Sequence, residues 1–341
     1  MTKHKHKYLL FLTKNYSYSI LRPLYDAILQ QDNAEVYWFS TKPERFDING
    51  ENWLESNEAV IKYNPDAVFA PGNVIPSAWP GLKVQLFHGL GEEKQGHYRK
   101  NGLFQMYCTP GPFITKKFLN NNNGRYIVEE TGWPKLDNIS RVRRNRKVTF
   151  KNEYPIILYA PTFSRKLTSA NSLLNQIVAL KKRDYNWIVK FHELMDMEIV
   201  AKYKGLQNDK FVVSDSTDIL PLMSESDLML TDTSSVAYEY LFFDKPIVTF
   251  NTKTRHDKGI NILKADDLEG AIIRALSNPA EFKENREFYI SELHPYRDGK
   301  SSQRVLEAVN RVLENGYRPL NKYNPIYLLS RWKTRNLISA E

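Results

Sequence analysis

The stretch DLMLTDTSSVAYEYLFFDKPIVTF, residues 227–250, decides the fold because it contains a strand, a helix and a second strand in succession. Its first apolar run, DLMLTD (227–232), ends in a hydroxyl-rich turn. A helical pattern covers 234–243, and a second apolar run, PIVTF, covers 246–250. Strands joined by a helix-length crossover run parallel to each other. The stretch therefore predicts a parallel α/β sheet.

The same alternation extends over both halves of the chain. In the first half the apolar runs are YLLFLT (8–13), EVYWFS (35–40), DAVFA (66–70), KVQLF (83–87), FQMYC (104–108) and RYIVEE (125–130). In the second half PIILYA (155–160), NWIVKF (186–191) and KFVVS (210–214) precede the two runs quoted above. Helical patterns cover 171–183, 195–205, 217–225, 266–277, 279–291 and 300–315. Two such sets predict two Rossmann-like lobes facing a central cleft, the GT-B type of α/β fold.

The predicted domains are residues 1–145, 146–320 and a basic, aromatic tail, 321–341. Near the first boundary lies RVRRNRK (141–147), for which a solvated linker and an anion-binding patch are the alternatives. The tail contains NPIYLLSRWKTRNLI (324–338), whose composition fits either a segment that packs back on the first lobe or a peripheral contact with an anionic membrane.

Composition narrows the partners and the compartment. The 341 residues carry a net charge of +9, which favours an anionic partner such as a nucleotide, a phospholipid surface or a nucleic acid. The single cysteine, Cys108, excludes an intrachain disulfide framework. The apolar run Tyr8–Leu12 is too short for a signal peptide, and no run reaches the roughly 20 apolar residues that span a bilayer. We therefore expect a cytoplasmic protein.

Several common catalytic motifs are absent from the sequence. It has no P-loop, no G-x-G-x-x-G after the first strand, no G-x-S-x-G elbow and no H-E-x-x-H. It also lacks a D-x-D pair after a strand, the usual sign of a metal-bound nucleotide diphosphate. We therefore predict no metal and no cofactor, with phosphate neutralised by helix ends, histidine and arginine or lysine.

The turn within LTDTSSV (230–236) is a candidate phosphate site. Thr233, Ser234 and Ser235 lie where a strand gives way to a helix, and backbone N–H groups and hydroxyls at such a point bind anions. Ordinary capping of the helix is the alternative. A second hydroxyl-rich turn, SDSTDI (214–219), lies just upstream and leaves the two interpretations about even.

Two histidines follow predicted strands and are the candidate catalytic residues. His88 comes after KVQLF and before Gly89, where it is placed either to act as a general base toward an acceptor hydroxyl or to serve as a structural histidine bonded to a neighbouring strand end. His192 comes after NWIVKF, where it is placed either to stabilise charge on a donor phosphate or to serve as a polar strand end.

Several segments together resemble the CDP-glycerol glycerophosphotransferase family, which builds teichoic acids and related glycerol-phosphate or ribitol-phosphate decorations. The matching segments are LFHGLGEEK (86–94), ETGWPKLD (130–137), ILYAPTFSRK (157–166), VKFHE (189–193), VVSDSTDILPLMSESDLMLTDTSSVAYEYLFFDKPIV (212–248) and DGKSSQRV (298–305). They occur in the family's order and cover most of residues 86–305.

The resemblance implies a GT-B fold and transfer of glycerol phosphate or ribitol phosphate from a CDP-alcohol to a glycan or lipid-linked acceptor, with release of CMP. It implies that His88 is the catalytic base and His192 a second essential histidine. The donor-binding residues that it implies are Thr162, Arg165, Ser214, Asp215, Thr217, Asp232, Thr233, Ser234 and Ser235. It implies no nucleic-acid partner, and places the enzyme at the inner face of the cell membrane.

Other enzymes of the same fold remain the alternatives. A nucleotide-sugar glycosyltransferase has the same two lobes but transfers a sugar. A UDP-N-acetylglucosamine 2-epimerase has the same two lobes as well. The family often has arginine directly after A-P-T-F, whereas Ser164 intervenes before Arg165 here. This departure indicates a divergent member with an altered donor or acceptor.

Overall fold

The computed structural model describes residues 5–42, 50–91, 102–120, 122–142, 150–320 and 327–328. The chain divides into two compact units. Unit 1 contains residues 1–89, 95–138 and 292–341, and unit 2 contains residues 90–94 and 139–291. Each unit is built around its own six-stranded sheet.

The sheet of unit 1 is parallel and has the strand order β2-β1-β3-β4-β5-β6. The strands are β1 His6–Leu12, β2 Ala34–Ser40, β3 Ala67–Ala70, β4 Leu82–Gln85, β5 Met106–Thr109 and β6 Ile127–Glu130. The chain goes from β1 to β2 on one side and then crosses to β3 on the other. Ligands of parallel sheets bind at the carboxyl ends of strands beside such a switch point.

Helices cover both faces of this sheet. Successive residues of a strand point to opposite faces, so apolar residues in succession need a helix on each side. The helices are α1 Tyr16–Leu29, α2 Asn57–Tyr63 and α3 Pro112–Leu119, and a 3-10 helix spans Pro134–Asn138. In β1, Leu10 packs in one cluster with Leu24 of α1, and Phe11 packs in another with Phe118 of α3. The continuous apolar run YLLFLT thus reflects burial on both faces.

The sheet of unit 2 is also parallel and has the order β12-β11-β10-β7-β8-β9. The strands are β7 Ile156–Tyr159, β8 Asn186–Val189, β9 Phe211–Val213, β10 Leu228–Thr231, β11 Ile247–Phe250 and β12 Ile260–Ile262. Its switch point lies between β7 and β10, as in the order 3-2-1-4-5-6 of Rossmann folds. The edge strand β12 was not predicted, since only one of its three residues is buried.

The predicted helices of unit 2 are present with shorter bounds. The helices are α4 Ile139–Val142, α5 Leu174–Leu180, α6 Met197–Lys204, α7 Leu220–Glu225, α8 Val236–Tyr240, α9 Leu268–Ser277 and α10 Lys283–Leu293, which runs into unit 1. One core cluster joins Tyr159 and Trp187 of the sheet to Ile177 of α5 and Ile272 of α9.

After α10 the chain returns to unit 1 and is held there by the segment ETGWPKLD. The carboxylate of Asp137 accepts the backbone N–H groups of Ser301 and Ser302 at 2.8 and 2.7 Å. The Nε2 atom of His294 accepts the N–H of Trp133 at 2.8 Å. His294 is buried, and burial lowers its pKa to about 4. This segment therefore anchors the returning chain.

The return corrects one predicted boundary. The sequence assigned residues up to 320 to the second domain, but α11 Ser301–Asn315 belongs to unit 1. Its residues Val305 and Val309 pack in the same cluster as Tyr8 of β1. The helical periodicity predicted α11 itself, but it cannot tell which of two parallel sheets the apolar face covers.

Of the C-terminal tail the structure describes Tyr327 and Leu328. Tyr327 is buried in unit 1 in the cluster that contains Trp79 and Phe104. The rest of the tail and residues 143–147 of the basic cluster lie outside the described residues, and their predicted anion contacts stay predictions. Within the described part of the chain, no helix has the length and apolar character needed to cross a membrane.

Candidate active site

Four neighbouring strands of unit 2 end at one edge of the sheet, in the order β10, β7, β8 and β9. Because parallel strands place their carboxyl ends at the same edge, the residues that follow them are neighbours. These are Asp232 to Ser235 after β10, residues 160–170 after β7, His192 after β8 and Ser214 after β9. The edge thus gathers most of the residues that the sequence predicted for donor binding.

Asp232 ties two of these segments together. It is 1% exposed, and its Oδ1 atom accepts the backbone N–H of Thr162 at 2.8 Å. Its Oδ2 atom accepts both the backbone N–H and the hydroxyl of Ser169, each at 2.8 Å. The hydroxyl of Tyr159 lies 2.9 Å from the Ser169 hydroxyl. Asp232 therefore fixes the loop after β7, and Thr162 contributes its backbone to this loop with a buried side chain.

The hydroxyl residues Thr233, Ser234 and Ser235 are partly buried at the start of α8. Ser235 occupies the capping position but has helical backbone angles, and its side chain makes no capping hydrogen bond. The N–H of Ser234 instead donates to the carbonyl of Asp232 at 2.8 Å. The structure therefore does not favour the alternative that these hydroxyls cap the helix.

The second hydroxyl-rich turn follows β9. The N–H of Ser214 continues the sheet by donating to the carbonyl of Val189 at 2.8 Å. Asp215 and Thr217 are exposed, and a carboxylate oxygen of Asp215 lies 3.2 Å from the ammonium of Lys204. Asp218 accepts the N–H of Leu220, the first residue of α7, at 3.1 Å. Asp218 was not among the predicted site residues.

The ring of His192 is oriented by its neighbours. It lies against Phe163 of the loop after β7, with ring centroids 4.4 Å apart. Its Nδ1 atom accepts the backbone N–H of Leu194 at 3.1 Å. A ring nitrogen that accepts carries no hydrogen, so the neutral ring has its hydrogen on Nε2. His192 is therefore held as a hydrogen-bond donor at Nε2.

Arg165 lies on the same loop as Phe163 and reaches toward α6. Its side chain is 89% exposed, and its Nη2 atom lies 3.3 Å from the carboxylate of Asp196, which caps α6. An ion pair this exposed contributes at most about 1 kcal/mol to stability. The Arg165 guanidinium is therefore only weakly held by this ion pair.

His88 lies beyond the carboxyl end of β4 in unit 1. Its Nδ1 atom is 3.3 Å from the carbonyl oxygen of Pro71, which follows β3, and its ring stacks on Tyr16 at the start of α1 with centroids 6.0 Å apart. A carbonyl oxygen only accepts, so Nδ1 carries the hydrogen and the neutral ring has its lone pair on Nε2. This is the tautomer opposite to that of His192, and it is the one that a general base needs.

The backbone before His88 and the turn beneath it are both specialised. Phe87 has a φ of 62°, a left-handed conformation that is costly for an aromatic residue and of a kind that clusters at functional sites. Its carbonyl accepts the indole N–H of Trp133 at 3.2 Å. The buried Gln85 donates through Nε2 to the carbonyl of Gly72 at 3.2 Å and to Asn73 at 2.6 Å. Gln85 thereby holds the turn whose Pro71 carbonyl orients His88.

The sequence did not predict Ser169, Phe163, Gln85 or Tyr16 as parts of these sites. Each acts through a residue that is distant in the chain: Ser169 is 63 positions from Asp232, and Gln85 is 12 positions from Asn73. No local pattern marks such pairs. In the part of the chain that the structure describes, no group of three or more His, Cys, Asp and Glu side chains is placed to hold a metal ion.

The chain is an α/β protein with two Rossmann-like units, each of which has a parallel sheet and a histidine beyond the carboxyl end of a strand. The chain belongs to the CDP-Glycerol:Poly(glycerophosphate) glycerophosphotransferase family, whose model matches residues 92–311. The predicted family is thus confirmed.

Curated relatives agree with this assignment. The chain is 23% identical to the "Teichoic acid glycerol-phosphate transferase" of Staphylococcus aureus over 84% of this chain and 82% of that protein. It is 23% identical to the "Teichoic acid ribitol-phosphate primase" of Bacillus spizizenii over 74% of this chain and 75% of the relative.

Among solved structures, the wall teichoic acid polymerase TagF has a TM-score of 0.68 at 17% identity, covering 92% of this chain and 90% of its own. A putative UDP-N-acetylglucosamine 2-epimerase from Listeria monocytogenes has a TM-score of 0.66 at 16% identity, covering 92% and 98%. These likenesses show the fold and confirm the predicted GT-B type of α/β architecture.

Proposed function

We propose that this protein transfers a glycerol-phosphate or ribitol-phosphate group from a CDP-alcohol to a hydroxyl of a cell-surface glycan or a lipid-linked glycan precursor, with release of CMP. Membership of the family supports this proposal. The names of the relatives given above refer to teichoic acid and to either glycerol phosphate or ribitol phosphate, so the proposal includes both groups.

The observation that carries the mechanism is that Nδ1 faces a backbone carbonyl in His88 and a backbone N–H in His192, which assigns the two rings opposite tautomers. The acceptor hydroxyl attacks the β-phosphorus of the CDP-alcohol, and its proton passes to Nε2 of His88. The bond between this phosphorus and the bridging oxygen breaks, and that oxygen leaves with CMP. The Nε2–H of His192 donates to the phosphate oxygens on which charge develops, an interaction of the kind that lowers barriers most.

The donor phosphates lie, in this proposal, at the carboxyl edge of the unit 2 sheet. Thr233, Ser234 and Ser235 supply hydroxyl and backbone donors there, and Arg165 supplies a positive charge. Asp232 has a different role in this proposal. Its carboxylate positions the loop after β7 and does not bind the donor directly.

We propose that the reaction needs no metal, since the residues above can neutralise the phosphates by hydrogen bonds and charge. Activity should then be unchanged by EDTA in a buffer without divalent cations. Loss of activity on chelation, restored by Mg²⁺, would contradict this part. The predicted peripheral contact with the membrane depends on the basic tail, which lies outside the described residues, and stays a prediction.

The test is product analysis with CDP-glycerol, CDP-ribitol and UDP-N-acetylglucosamine as donors, each with a lipid-linked disaccharide acceptor. We expect CMP from at least one CDP-alcohol, in amounts equal to the phosphoalcohol added to the acceptor. Release of UDP with sugar transfer would instead establish a glycosyltransferase. Conversion of UDP-N-acetylglucosamine to its C2 epimer without acceptor modification would indicate an epimerase-like reaction, and either result would overturn the proposal.

A further inference from the structure

A cavity of about 660 Å³ lies in unit 1 at the end of the sheet opposite to His88. It is lined by the starts of β4 and β5 and by the chain after α11. Its walls include Trp79, Tyr317 and Tyr327, with Lys83 and Gln105 as polar groups. The volume lies within the range of about 300–1,000 Å³ that is typical of small-molecule sites.

The unusual member of this lining is Lys83, a lysine in the middle of a buried strand. It is 4% exposed, and its ammonium donates to the carbonyl oxygens of Trp79 at 2.6 Å and Gly81 at 3.1 Å. Among the described residues it forms no ion pair with a carboxylate. Burial lowers its pKa to about 8, so it is still mostly protonated at neutral pH. A buried cation of this kind is costly without a counter-ion.

The other polar side chains that line the cavity, those of Ser77, Gln105 and Tyr317, do not supply that counter-ion, and the Ser77 hydroxyl carries no charge. Gln105 is engaged with the backbone, since its Oε1 accepts the N–H of Lys83 at 3.0 Å and its Nε2 donates to the carbonyl of Arg318 at 3.3 Å. The phenol of Tyr317 has a raised pKa because of burial and is neutral. The cavity therefore combines aromatic walls with one positive charge.

We propose that this cavity binds a small amphipathic anion, whose acidic group pairs with the Lys83 ammonium and whose apolar or planar body lies against Trp79, Tyr317 and Tyr327. Within unit 1 this site is separate from His88 and its neighbours, because it lies at the amino ends of strands whose carboxyl ends carry them. It does not depend on the proposed function.

The test uses two fluorescent probes with similar aromatic bodies on the full chain: 8-anilinonaphthalene-1-sulfonate, which is an anion, and N-phenyl-1-naphthylamine, which is uncharged. We expect saturable binding of the sulfonate, with a Kd at least about tenfold lower than that of the neutral probe. A difference of about tenfold is the size expected for one hydrogen bond to a charged group. Lys83→Met should abolish that difference and leave the neutral probe's affinity unchanged. Lys83→Arg should retain the tighter binding of the sulfonate.

Two further variants serve as controls. Lys116→Met removes the same charge from an exposed position on α3 and should leave both affinities unchanged. Ala78→Trp adds bulk at an exposed position of the cavity wall and should weaken both probes. Thermal midpoints verify that the variants fold. Equal binding of the two probes, absence of saturable binding, or sulfonate affinity that survives in a folded Lys83→Met protein would each overturn the proposal.

Discussion

Replacement of the two histidines by asparagine and by glutamine provides the sharpest test of the proposed chemistry. The amide nitrogen of asparagine can take the place of Nδ1, and that of glutamine can take the place of Nε2. His88 donates through Nδ1 and is proposed to accept a proton at Nε2, whereas His192 accepts at Nδ1 and donates at Nε2. Glutamine can therefore replace the proposed function of His192 but not that of His88.

The expected magnitudes follow from these roles. An amide is not a base near neutral pH, so His88→Asn and His88→Gln should both lower kcat by about 10²–10⁴-fold. His192→Asn retains the bond from Leu194 by accepting it with its amide oxygen, but it has no donor at the Nε2 position, and it should lower kcat by about 10²–10³-fold, as for a lost oxyanion donor. His192→Gln retains a donor there and should lose only about tenfold.

The assay is steady-state release of CMP from the preferred CDP-alcohol, with donor affinity measured separately by calorimetry. All four variants should keep a thermal midpoint close to that of the wild type, because neither histidine is fully buried. The assignment of the base is refuted if His88→Gln stays within about tenfold of wild type. The assignment of the donor is refuted if glutamine and asparagine at His192 lose the same activity.

Further predictions concern the residues that support the two histidines and the phosphate turn. Asp232→Asn keeps an acceptor for the N–H of Thr162 but places an NH₂ group against the N–H of Ser169. The free energy of unfolding measured in urea should therefore fall by about 1–3 kcal/mol, whereas an unchanged value would show that Asp232 does not hold the loop. Gln85→Leu should lower kcat by about tenfold with donor affinity unchanged, since it releases the turn that orients the base. Ser234→Ala with Ser235→Ala should weaken donor binding by about tenfold in calorimetry, whereas unchanged affinity would favour a purely structural turn.

A pH dependence of stability is expected from His294. Its pKa falls from 6.5 in the unfolded chain to about 4 in the fold. The unfolded chain therefore takes up a proton first as the pH falls, and stability that is present above pH 6.5 is lost toward pH 4, by about 3 kcal/mol. His294→Gln should flatten urea midpoints over this window relative to wild type. An unaltered pH profile in that variant would show that other groups cause the loss.

Strand positions were predictable because each buried parallel strand has a continuous apolar run that ends in polar residues. The stretch 227–250 gave β10, α8 and β11 in this way, and the same signal placed His88 and His192 beyond strand ends. The partner of α11 was not predictable, because the bonds that fix its start join Asp137 to residues 164 and 165 positions away. Pairings over such distances leave no periodic pattern in a single sequence.

Because such long-range pairings are not visible in the sequence, the residues of the motifs could not be divided into those that hold the structure and those proposed to react. Asp137 and Asp232 both lie in segments that resemble the family, and both use two carboxylate oxygens to accept backbone N–H groups. Asparagine offers only one such oxygen, so the requirement for aspartate at these positions follows from the backbone alone. At His88 and His192 one ring nitrogen bonds to the backbone and thereby determines whether the other is a base or a donor. The backbone contacts, and not the motifs, separate the residues that shape the site from those proposed to react.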